Sequence, residues 1–120
     1  MNPVMEPAVL TALEHEAGAE RVREIVSRYL ATLEERLYFL RGALAAYNSA
    51  DALVTLRGLQ RASTVVGARQ LAELADSLEP SLRRGNFRPA RDALPELLQL
   101  AAATKAVLTP VLGTSMVSSP

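Results

Sequence analysis

The sequence predicts an all-α protein, an antiparallel up-down-up-down four-helix bundle with a short extra N-terminal helix. Three observations carry that expectation. Apolar residues recur every three or four positions through most of the chain, the spacing of one helix face. The composition is 49% hydrophobic but only 4% aromatic, and its richness in Ala, Leu, Glu and Arg favours helices packed through aliphatic side chains over a β-sandwich. Turn-forming residues interrupt the pattern at intervals short enough to make successive helices antiparallel. A chain of 120 residues fits one domain with one core.

The elements follow in order. Residues 1–7 hold two prolines and no periodicity, and read as a lead-in. Val9, Leu10 and Leu13 then fall at helical spacing, and Gly18 stops this short helix, which is expected to cross one end of the bundle. From about Ala19 to Tyr47 there is no proline, and Val22, Val26, Tyr29, Leu30, Leu33, Leu37, Leu40 and Leu44 form one continuous apolar stripe. Asn48 or Ser49 can cap the next helix, with Asp51 at its positive end. That helix turns Leu53, Leu56, Leu59 and Ser63 to one side and should end near 64–66, before Gly67. A fourth helix directs Ala68, Leu71, Leu74, Ala75, Leu78 and Leu82 inward and ends at Arg83, Arg84 and Gly85. Asn86 caps a fifth, carrying Phe87, Ala90, Leu94, Leu97, Ala101 and Leu108; Pro95 should kink it or delay its start. The bundle is thus expected over 1–108, and the Pro, Gly and Ser of residues 109–120 read as a disordered tail.

Several function classes are excluded early. There is no cysteine, and His15 is the single histidine, so neither thiolate nor histidine-cluster metal sites can form. No Gly-rich phosphate loop and no convergent acid pair point to an enzyme, and no cofactor is implied. Thirteen basic and thirteen acidic residues balance, which argues against nucleic acid as a partner. The halves differ, however: five Arg against eight acids in 1–56 give −3, and eight Arg or Lys against five acids in 57–120 give +3. No stretch approaches membrane-spanning length and no leader is evident, so a cytoplasmic protein without a membrane partner is expected.

The run from Leu53 to Glu79 carries more. Leu59, Ser63, Val66, Gly67, Ala68, Leu71, Leu78 and Glu79 stand in the register of A-H-x-L-K-G-S-S, x-x-L-G-A and L-x-x-L-x-x-x-L-E, the signature of histidine-containing phosphotransfer (HPt) domains, which the chain resembles. Leu10, Leu13 and Gly18 are similar to that family's lead-in. Tyr29-Leu30, Leu33, Leu37, Leu40, Ala43 and Leu44 follow its long first-helix pattern, and Arg84-Gly85-Asn86 its usual turn. The resemblance covers about residues 10–108. It implies a signalling module of a bacterial two-component, phosphorelay or chemosensory system, whose partners are the receiver domain of a response regulator or a histidine kinase.

Counting back from Gly67-Ala68 puts Arg57 at the family's phosphohistidine position. Gln60 then replaces the usual Lys and Arg61 the usual Gly. A neutral imidazole can attack an aspartyl phosphate because it has a free electron pair near neutral pH. A guanidinium stays protonated, with five donors and no acceptor. The resemblance therefore implies a pseudo-phosphotransfer domain with no catalytic residue. Ser63 and Thr64 lie nearly two turns away and cannot replace the histidine, and His15 lacks any flanking motif. Positions 57, 60, 61 and 64 share one helix face. Arg57, Gln60, Arg61 and Thr64 could therefore meet a receiver's acidic pocket, or simply be solvated. Val54 lies one turn before Arg57 on that side. Tyr38 and Phe39 fall off the apolar stripe, as a contact patch or dimer seam, or as residues covered by the first helix or the tail. The alternative function is a structural or oligomerising bundle with no receiver partner.

Overall fold

The computed structural model describes residues 4–117, with side chains as far as residue 113. Five helices follow one another: α1 (Pro7–Ala17), α2 (Ala19–Ala45), α3 (Ser49–Val66), α4 (Arg69–Arg83) and α5 (Arg88–Val117). No strand occurs among the described residues. Helices α2 to α5 pack each against its sequence neighbours, and α2 also packs against α5, closing a four-helix ring. The expected bundle is present.

The apolar stripes explain that closure. Val22, Val26, Tyr29, Leu33, Leu37, Leu40 and Leu44 are buried on α2; Leu56, Leu59 and Val66 on α3; Leu71, Ala75, Leu78 and Leu82 on α4; and Ala90, Leu97, Ala101 and Leu108 on α5. Leu74, expected inward, is half-buried at the edge of the same core. Each Leu buried in such a setting contributes about 2–5 kcal/mol against Ala.

The ends of the helices follow local chemistry. The Asn48 side chain accepts from the Asp51 amide at 3.0 Å, capping α3. Gly67 ends α3 with φ +79°, and Gly85 follows α4 with φ +77°. Helix α1 lies against α2 and α3 at the end that carries the α3–α4 turn. There the Glu6 amide donates to the Gly67 carbonyl at 2.7 Å, and Met5 is buried. At the opposite end Tyr47, left-handed at φ +54°, stacks edge-on against Phe87 at 5.3 Å. Its hydroxyl accepts from Arg91 at 2.7 Å.

Helix α5 departs from expectation. It begins at Arg88 and runs through Pro95 and Pro110 without a break, so Pro95 does not delay its start. The expected limit at 108 and the disordered tail over 109–120 are corrected accordingly: 109–117 are helical, and 118–120 lie outside the described residues. The reason is that Val111 and Leu112 extend the stripe of Leu108 and pack against the core. Tertiary burial there outweighs the helix-breaking tendency of Pro110.

Candidate functional site

Arg57 occupies the middle of α3, on the side turned away from Leu56, Leu59 and Ser63. Helix α4 runs back antiparallel beside it and brings Glu79 level with Arg57. The Arg57 Nε donates to Glu79 Oε1 in a close ion pair. Their side chains keep 42% and 23% of their exposure, so the pair sits in the surface, neither free nor enclosed. Hydrogen bonding to Arg57 holds the Glu79 carboxyl below the ordinary carboxylate range, against its partial burial. The charges of Arg57, Arg83 and Arg61 act in the same direction. One carboxylate thus lies among three guanidinium groups and is bonded to one.

The neighbouring positions complete the face. Gln60 donates to the Thr64 hydroxyl at 3.2 Å, and that hydroxyl donates to the Gln60 carbonyl at 2.9 Å. Arg61 is exposed and has no ion pair among the described residues. The structure therefore brings Arg57, Gln60, Arg61 and Thr64 to one outward surface, as expected. It also adds a partner for Arg57 that sequence reasoning had used only as a matching glutamate.

Val54, Tyr38 and Phe39 are all exposed and line one shallow groove between α2 and α3, with Arg41, Asp51 and Thr55. Tyr38 and Phe39 meet edge to face at 6.1 Å. Neither α1 nor the described part of α5 covers them, and the tail's side chains beyond residue 113 lie outside the described residues. This groove lies on the α2 side of α3, whereas Arg57 leans toward α4. The expected site residues thus form two patches joined along α3.

The remaining candidates fall away from this surface. Ser63 is fully buried and shares a hydrogen bond of 2.8 Å with the Tyr29 hydroxyl, inaccessible to a phosphate donor. Burial pushes the Tyr29 phenol up, with the Ser63 bond and the Arg36 charge opposing. His15 is exposed in the last turn of α1. No group of three or more His, Cys, Asp or Glu among the described residues could hold a metal ion. No helix among them is long and apolar enough to cross a membrane.

Two solved structures share this architecture. Histidine-containing phosphotransfer protein B from Pseudomonas aeruginosa PAO1 superposes with a TM-score of 0.88 at 23% identity, over 95% of this chain and 98% of that one. The fold is that of histidine-containing phosphotransfer domains. The HPt domain of an Hpt sensor hybrid histidine kinase from Shewanella agrees, with a TM-score of 0.76 at 23% identity over 90% of this chain and 92% of that one. No family model and no curated protein matches the sequence. The HPt fold is therefore established on shape, while the side chains at its functional centre are this chain's own.

Proposed function

We propose that the chain is a degenerate member of the HPt family: a signalling module that recognises a receiver domain or a histidine kinase without carrying phosphate. One observation carries the reading. The outward centre of α3, where the sequence register puts the family's phosphohistidine, holds the Arg57 guanidinium, while the single histidine stands exposed on α1. A permanent cation offers no electron pair for a phosphoryl group, but it can bind the carboxylates or phosphate of an acidic pocket through charge-assisted hydrogen bonds. Arg61, exposed and without an ion pair beside Arg57, adds to that capacity. The exposed Val54, Tyr38 and Phe39 supply the apolar contact that a transient interface needs at its centre. On this reading the module is not an enzyme, works in the cytoplasm, and inhibits or scaffolds its partner.

A specific feature favours the alternative, a structural bundle with no receiver partner. Arg57 is already paired with Glu79 inside the molecule, and an arginine that ties two helices together needs no outside ligand. Titration against purified receiver domains, followed by NMR or interferometry, separates the two. Binding that weakens on Arg57→Ala supports the signalling reading. An absence of binding to the receivers and kinases of the same genome supports the structural one.

A further inference from the structure

The halves of the sequence carry −3 and +3, and the fold turns that asymmetry into two charged ends. Where α2 meets α3 and α4 meets α5, residues 41–51 and 83–92 hold five arginines against two aspartates, a net +3. At the α1 end, residues 6–24 and 69–73 hold six glutamates against three arginines, a net −3. The middle of the bundle is balanced, since the remaining charges are five of each sign. The ends lie about 40 Å apart, the length of the 27-residue α2 at 1.5 Å per residue. That is several times the screening length of about 8 Å at physiological salt, so a surface touching one end does not feel the other.

The positive end is open and largely uncompensated. Arg41, Arg83, Arg84, Arg88 and Arg91 are all exposed. Among the described residues Arg41, Arg83 and Arg84 form no ion pair. Arg88 reaches Asp92 only at 3.8 Å, and Arg91 donates to the neutral Tyr47 hydroxyl. The other carboxylate, Asp51, accepts from the Asn48 side chain at 2.9 Å. Tyr47 stands at the tip of the α2–α3 turn, 63% exposed, in a left-handed conformation that glycine would adopt without strain. The Arg91 guanidinium lies 5.2 Å from its ring centroid. An exposed amphipathic ring among guanidinium groups suits the headgroup layer of a bilayer.

We infer that this end of the bundle docks on an anionic membrane surface. Each net positive charge near such a surface favours binding by a factor of about five, so three give about a hundredfold. The acidic end is repelled when it approaches the same surface, and the bundle therefore stands upright. Arg57, about 12 Å along α3 from Ser49, takes no part and stays free at the side. No helix among the described residues is long and apolar enough to cross a membrane, so the contact is peripheral. The expectation of no membrane partner rested on spanning length, which a peripheral contact does not need. A second copy could offer its own acidic end, but the end face, 25 × 23 Å at most, falls short of the about 800 Å² per partner of a stable interface. A nucleic-acid duplex would bring only the few phosphates that such a face spans, whereas a bilayer covers all of it.

The test sediments the full chain with vesicles of phosphatidylcholine alone, or of phosphatidylcholine with about one-third phosphatidylglycerol. At low salt, binding to the anionic vesicles is expected to exceed binding to the neutral ones by about tenfold or more, and to disappear at about 1 M salt. Arg84→Glu with Arg88→Glu turns the end from +3 to −1 and should abolish binding. Arg21→Glu with Arg28→Glu makes the same change in total charge elsewhere and should leave binding within about twofold. All four side chains are exposed, and circular dichroism verifies the fold of both variants. The inference is overturned if the two kinds of vesicle bind alike, if neither binds, or if the two double variants bind equally. It is also overturned if a DNA duplex at equal phosphate concentration takes the chain off the vesicles.

Discussion

Gly67 lies at the turn between α3 and α4, and its replacement by alanine combines two penalties that the structure allows to be separated. The residue has φ +79°, where a side chain costs about 1–2 kcal/mol. An alanine Cβ would also lie 2.8 Å from the Glu6 carbonyl oxygen and 2.9 Å from the Val9 Cβ. Neither contact can persist, so the segment entering α1 must move. That displaces the 2.7 Å bond from the Glu6 amide to the Gly67 carbonyl, a loss of about 0.5–1.5 kcal/mol. Gly85 supplies the control, because it has φ +77° but nothing within 4 Å of an added Cβ. Gly85→Ala carries the conformational cost alone, offset by about 0.4–1 kcal/mol from a stiffer unfolded chain. Gly67→Ala is therefore expected to destabilise by about 1–3 kcal/mol, and by about 0.5–1.5 kcal/mol more than Gly85→Ala. In thermal melts of a domain this size the Gly67 variant should fall on the order of 10 °C. Equal losses in the two variants, measured by urea denaturation, would refute the packing argument at the α1 junction.

Further outcomes follow from other contacts. Ser63→Ala leaves the buried Tyr29 hydroxyl without its partner and should cost about 1–3 kcal/mol by denaturant melts. Tyr29→Phe combined with Ser63→Ala should cost less than the sum of the two changes, and an additive result would contradict the pairing. The Glu79 carboxyl titrates below its ordinary value of 4.5, so its contribution is complete above that value and fades as pH falls toward the lowered one. Glu79→Gln should flatten the acid limb of the stability profile, and an unchanged limb would show that the Arg57 pair adds nothing. Arg57→His with Gln60→Lys and Arg61→Gly restores the family's chemical centre on the same scaffold. It is expected to accept phosphate from a receiver, and its failure would place the acceptor slot elsewhere.

Helical periodicity made α2, α3 and α4 legible almost to the residue, because their ends coincide with Asn48, Gly67 and Gly85, whose backbone chemistry is local. The course of α5 was not legible, since prolines 95 and 110 are local signals and the burial of Val111 and Leu112 that overrides them is tertiary. At the candidate site, the outward face of Arg57, Gln60, Arg61 and Thr64 followed from the turn of a helix alone. The Arg57–Glu79 pair joins residues 22 positions apart and depends on the register between α3 and α4. The nearly equal distances of the two residues from the Gly67–Ala68 turn, 10 residues back to Arg57 and 11 on to Glu79, were the signal that could have found it.

Incubating the chain with a receiver domain carrying radioactive phosphate, and separating the mixture on a native gel, tests the central claim most directly. A band of the complex whose label stays on the receiver, with none on this chain after the proteins are resolved, is the result expected of a cation in the acceptor's place. Label recovered on the chain itself, at His15 or any other residue, would contradict it.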